Sequence, residues 1–110
     1  MRKIIIDCDP GVDDAFAIAI ANLDLQVDVL AIHTVSGNVN IENTTRNAQG
    51  LAHVIGYEGP IHKGAAAPLV VAPFDASEVH GHNGFGGVEC PDHKPLSEQS
   101  AFESAVELLQ

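Results

Sequence analysis

The chain has 110 residues, the size of one ordinary domain, with 45% hydrophobic and 18% charged residues. Five Lys and Arg against 15 Asp and Glu leave a net charge of −10, which argues against nucleic acid or an anionic membrane surface as partner, since both need a basic face. No stretch approaches the ~18 uninterrupted apolar residues of a membrane span, and the apolar run after Arg2 and Lys3 is too short for an export signal, so a cytoplasmic location is expected.

A first strand is expected over residues 3–7, where Ile4, Ile5 and Ile6 form a short apolar run. Four carboxylates follow at once, Asp7, Asp9, Asp13 and Asp14, arranged around a Pro10-Gly11 turn. A strand ending in a carboxylate-lined turn lies where open α/β sheets place their ligands. Like charges that close repel one another, and a divalent cation is the simplest way to hold them ionised together. The pattern points to a metal or polyhydroxyl site. Asp9 and Asp14 flank the turn and can share one hard cation such as calcium.

Helix capping by Asp13 or Asp14 accounts for one of these carboxylates or two, but not for all four. An EF-hand matches poorly, because the cluster follows a strand and Ile18 stands where that loop has its bidentate Glu. No Gly-x-Gly-x-x-Gly follows the strand, so a dinucleotide site is not indicated. Cys8 and Cys90 show neither metal spacing nor a disulfide framework, and both are expected to be structural.

Residues 14–22 alternate large and small side chains, which by period alone suggests a strand. Their alanines and the leading Asp pair favour a buried helix instead, since carboxylates suit a helix N-terminus. A second strand is expected over residues 27–35, ending at Ser36-Gly37-Asn38. Asn38 then lies on the same sheet edge as the aspartate turn. There its amide can bond a sugar hydroxyl or simply shape a turn.

Asn40 is expected to cap a second helix, in which Ile41, Thr44, Ala48, Leu51 and Ile55 recur at helical spacing and Gly56 is the stop. Residues 60–63 read as a short third strand. Residues 64–95 are loop-like, with 69–72 extended, and a loop this long is usually functional or mobile. Within it, His80-Gly-His-Asn-Gly-Phe-Gly-Gly87 can bring His80 or His82 to a ligand. The last helix is expected to start with Ser97 as its cap and to carry an apolar stripe of Phe102, Ala105, Val106 and Leu109. It stops in mid-pattern, which suggests a chain cut from something longer. The β-α-β-α-β-α order implies an α/β fold with a parallel, Rossmann-like sheet and helices on both faces. So small a sheet leaves open edges and apolar patches, and self-association is expected.

In these segments the chain resembles the N-terminal part of the inosine-uridine-preferring nucleoside hydrolase family. Asp7-Cys-Asp-Pro-Gly-Val-Asp-Asp14 resembles the family's Asp-x-Asp-Pro-Gly-x-Asp-Asp signature without a mismatch. Gly37-Asn38, Thr45-Arg-Asn-Ala48, Lys63-Gly64 before Pro68-Leu69, and Val79-His-Gly81 with Gly84 resemble its later segments. The resemblance implies that residues 1–110 are a single α/β domain, the N-terminal portion of a longer hydrolase domain. It implies calcium-dependent hydrolysis of the N-glycosidic bond of ribonucleosides to ribose and free base, in nucleoside salvage, by a homo-oligomer (dimer or tetramer).

Carried over residue by residue, the resemblance makes Asp9 the general base and a calcium ligand. Asp14 binds calcium, and with Asp13 holds the ribose hydroxyls. Asn38 contacts the ribose, His80 lies near the base, and Asp7 supports the site from behind. Further calcium ligands, a second asparagine on the ribose and the leaving-group acid belong to later parts of the family's longer chains. Two alternatives stand beside this reading. One is an inactive fragment. The other is a haloacid dehalogenase-type phosphohydrolase with Asp7 as nucleophile, Asp9 as acid and bound magnesium, but Gly11 stands where that family has Thr or Val.

Overall fold

The computed structural model describes residues 1–72, 81–90 and 92–110. Six elements follow in the expected order: β1 (Arg2–Cys8), α1 (Val12–Leu23), β2 (Val27–Thr34), α2 (Ile41–Ile55), β3 (Ile61–Lys63) and α3 (Ala101–Leu108). The strands form one parallel sheet in the order β1-β2-β3. Its register sets Ile6 beside Ile32, Asp7 beside His33 and Cys8 beside Thr34, so all the strands end at one edge.

The period-2 alternation of β2 divides the molecule into layers. Ile32 turns to α1 and α2, where it packs in a core with Ile18, Ala48, Ala52, Tyr57 and Ile61. His33 turns the other way, and its Nε2 lies 2.9 Å from Ser104 Oγ of α3. Helices therefore cover both faces, as the element order implied.

Local chemistry sets the boundaries of α2. Asn40 Oδ1 accepts from the Asn43 amide at 2.9 Å, and Gly56 closes the helix in the left-handed region at φ 71°. The outcome differs from the sequence reading in three places. First, α1 is a helix, but it is not a buried one. Ile18 is fully enclosed, while Phe16 and Ile20 are 69% and 67% exposed, because the sheet and α2 cover one side only.

Second, residues 69–72 form bends rather than a strand, with Leu69 and Val70 fully in solvent. Third, α3 is capped by Ser100 and not by Ser97. Ser100 Oγ accepts from the Glu103 amide at 3.1 Å and Glu103 Oε1 accepts in return from the Ser100 amide at 3.3 Å, the reciprocal arrangement that fixes a helix start. Ser97 precedes the helix: its amide bonds Ile61 O at 2.9 Å, tying the approach segment to β3. The apolar stripe of α3 also lies outward: Phe102 and Leu109 are exposed and Ser104 is the buried residue. No described helix is long and apolar enough to cross a membrane.

The α3 face carries two buried imidazoles. His33 and His62 meet edge to face with ring centroids 5.4 Å apart, and His62 Nδ1 lies 3.0 Å from Gln99 O. Burial lowers the pKa of His33 from its ordinary 6.5, the neighbouring His62 lowers it further, and Asp7 pulls the other way. The unfolded chain therefore takes up a proton that the folded chain resists. Stability from this group is present above the ordinary value and falls as pH drops through it. Thermal unfolding is expected to show a lower midpoint at pH ~5.5 than at pH ~7.5, with the difference reduced in His33→Gln. An equal pH dependence in both proteins would show that His33 is not its source.

Candidate active site at the carboxyl edge of the sheet

The site is built where β1 and β2 run out side by side. After Cys8 the chain turns through Asp9, Pro10 and Gly11 and enters α1. Asp9 and Asn38 hold each other through two hydrogen bonds. The backbone amide of Asn38 donates to Asp9 Oδ2 at 2.7 Å, and Asn38 Nδ2 donates to Asp9 O at 2.6 Å. Asp9 Oδ1 has no donor among the described residues. Asp13 and Asp14 occupy the first turn of α1, where the free amides and the helix dipole favour negative charge. Asp14 Oδ2 accepts from the Gly11 amide at 3.4 Å. Asp13 is exposed and Asp14 half-buried.

Gly37 explains why the second strand ends in Gly-Asn. A Cβ at this position would run into the Asp9 carboxylate. In Gly37→Ala the Asp9–Asn38 pairing is therefore expected to break. The Asn38 amide would lose its protection from hydrogen exchange, while the Ile32 amide, bonded to Pro60 O at 3.1 Å, keeps its own. Unchanged protection at Asn38 would contradict this packing.

Cys8 reports the field of the cluster. Its pKa is pushed up to about 12, first by burial and then by Asp14, Asp7 and Asp9. The thiol stays neutral and donates to His33 O at 3.8 Å, in keeping with a structural role. The carboxylate oxygens at this edge suit a hard cation. Asp9 and Asp14 would supply only part of the oxygen set that such a cation takes. Among the described residues no three His, Cys, Asp or Glu side chains converge as a complete metal site.

Of the other expected site residues, Asp7 lies on the α3 face. It lines a cleft of about 470 Å³ with His33, Lys63 and Phe102, and makes no hydrogen bond to the other aspartates. His80 lies outside the described residues, as do 73–79. The rest of its loop does come to the site. Gly84 sits where a Cβ would touch Asn47 Nδ2 at 2.9 Å and Val39 Cγ2 at 3.1 Å, in a backbone conformation of φ 88°. The sequence reading assigned no role to Asn43, Asn47 or Asn83, which hold this loop. The Thr-Arg-Asn-Ala motif was the available signal for Asn47, but its acceptors lie 36 and 37 residues away.

Open parallel α/β sheets take their ligands outside the carboxyl ends of their strands, and Asp9, Asp13, Asp14 and Asn38 all lie at that end of this sheet. Residues 4–110 match the inosine-uridine preferring nucleoside hydrolase family, and the chain belongs to that family. It is 50% identical over 95 residues to the non-specific ribonucleoside hydrolase RihC of Escherichia coli O9:H4, covering 84% of this chain and 31% of that protein. A plant nucleoside hydrolase, PpNRh1, superposes with a TM-score of 0.90 at 32% identity, over 98% of this chain and 35% of the other. The purine-preferring ribonucleoside hydrolase of Gardnerella vaginalis gives 0.88 at 31% identity, over 96% and 35%. The chain thus spans about a third of the length of the relatives it matches. Membership of this family leaves the phosphohydrolase alternative without support.

Proposed function

We propose that this chain carries the catalytic-base half of a ribonucleoside hydrolase site, which cleaves the N-glycosidic bond to give ribose and free base. The observation that carries the reading is the doubly bonded Asp9–Asn38 pair beside the Asp13-Asp14 helix start. One oxygen of Asp9 is fixed by the Asn38 amide, which leaves the other to take a proton from an attacking water. Asp13 and Asp14 accept hydrogen bonds from the ribose hydroxyls, and Asn38 lies beside the same sugar. The glycosidic transition state resembles an oxocarbenium ion, so a fixed cluster of carboxylates favours it over the neutral substrate.

Asp9 and Asp14 would hold calcium, which when bound supplies a charge that orients the diol and acidifies water. His80 is proposed to approach the base and Asp7 to support the cluster from behind. The leaving-group acid is expected in the part of the family's fold outside these residues, and hydrolysis is proposed for the assembled site. A cytoplasmic homo-oligomer fits the acidic composition and the exposed Phe16, Ile20, Leu23 and Phe102.

The test is a chimaera in which residues 4–110 replace the matching third of the Escherichia coli relative. Calcium titration by calorimetry is expected to show one site per chain that Asp14→Asn abolishes, with ribose release from inosine and uridine lost on chelation and restored by calcium. A folded chimaera that neither binds calcium nor releases ribose would sink the proposal.

A further inference from the structure

The family signature leaves one buried amide without a task. Asn47, on α2, is 7% exposed, and both protons of its carboxamide are committed. Nδ2 donates to Pro10 O at 3.1 Å and to Asn83 O at 2.6 Å. The first acceptor belongs to the aspartate turn and the second to the loop over residues 81–88. The opposite orientation of the amide would set its oxygen against two carbonyl oxygens, so the direction of donation is fixed by chemistry.

Asn38 and Asn47 thus pin consecutive carbonyls of one turn, Asp9 O and Pro10 O, from different elements. The loop is itself braced before it docks. Asn83 Oδ1 accepts from the Phe85 and Gly87 amides, both at 3.0 Å, and Asn83 Nδ2 donates to Val88 O at 2.6 Å. Asn43 Nδ2 adds a longer bond of 3.3 Å to His82 O. The loop is thus braced internally and docked at two points, and the Asn47 amide that docks it also holds the turn.

We infer that Asn47 is a positioning residue. It locks the 81–88 loop to the aspartate turn, and so sets the distance between the part of the site that takes the sugar and the part that faces the rest of the nucleoside. The inference rests on the proposed hydrolase reading for its kinetic consequence, but its structural half stands apart from it. Asn47→Asp keeps the shape, removes both donors and sets a carboxylate against two carbonyls, which should release the loop while the core around Ala48 and Ala52 stays packed. Gly84→Ala should do the same from the loop side, where an added Cβ meets Asn47 and an unfavourable positive φ.

The test has two arms. In the 110-residue chain, the nuclear Overhauser contact between the Gly84 α-protons and the Val39 methyls is expected in the parent protein. It should be lost in both Asn47→Asp and Gly84→Ala, while contacts between Ile32 and Ala48 remain. In the chimaera, both variants are expected to raise KM for inosine by about tenfold with kcat changed by less than about threefold, the signature of lost binding geometry. If Asn47→Asp does not fold, Gly84→Ala, which leaves the core intact, carries both arms. A retained Gly84–Val39 contact with unchanged KM would overturn the inference while leaving the hydrolase reading untouched. An inactive parent chimaera would overturn the hydrolase reading, and the first arm would still decide the role of Asn47.

Discussion

Asp9→Asn in the chimaera is expected to lower kcat for ribose release by about 10²- to 10⁴-fold, the contribution of one positioned general base. The substitution is chosen because it preserves shape. Asp9 Oδ2 accepts from the Asn38 amide at 2.7 Å, and the asparagine Oδ1 can accept the same bond. The turn therefore survives, and what disappears is the charge and the proton acceptor. Asp9→Ala removes the anchor as well, so it should also loosen Asn38. If kcat of Asp9→Asn stayed within about threefold of the parent, Asp9 would not be the base. The pH profile adds a second readout: a limb that reports ionisation of the base should vanish with it.

Ile32→Ala is expected to destabilise the 110-residue chain by about 2–5 kcal/mol, the usual cost of truncating an enclosed aliphatic side chain. Ile32 is 1% exposed and packs between Ile18 of α1, Ala48 of α2 and Ile61 of β3. A side chain shared by three elements leaves a void that no single element can close by moving. Typical domains are stable by only about 5–15 kcal/mol, so this one change removes much of the total. The urea midpoint should fall by about 1 M or more. Phe16→Ala is the control. That ring is larger but 69% exposed, and its loss should shift stability by no more than about 0.5 kcal/mol. Equal losses from the two substitutions would contradict the assignment of the core.

The parts of this fold that were legible in the sequence are those decided locally. Asn40 and Gly56 bracket α2 because a cap needs only an acceptor three residues before an amide and a residue that tolerates positive φ. The aspartate turn was legible for the same reason, since strand, turn and helix start are contiguous. What stayed hidden depends on distant partners. The α3 cap is the exception, a local signal passed over: Ser100 has Glu103 three residues on, the reciprocal partner that Ser97 lacks. The α3 stripe of Phe102 and Leu109 was legible as a pattern but its direction was not: the sheet presents His33 to α3, and a buried imidazole takes a hydroxyl partner such as Ser104.

The site shows the same division. Asp9, Asp13, Asp14 and Asn38 were named from the motif and converge on one edge of the sheet. The need for glycine at 37 arises only once Asp9 lies against it. The clamp by Asn47 was invisible because α2 and the 81–88 loop meet only in three dimensions.

Residues 4–110 are proposed to bring a working base and a sugar-binding edge to a ribonucleoside hydrolase. The decisive measurement is product analysis of the chimaera on uridine. Ribose and uracil are expected in equal amounts, formed without phosphate. A folded chimaera that yields no ribose, or that requires phosphate and yields a sugar phosphate, would contradict this proposal.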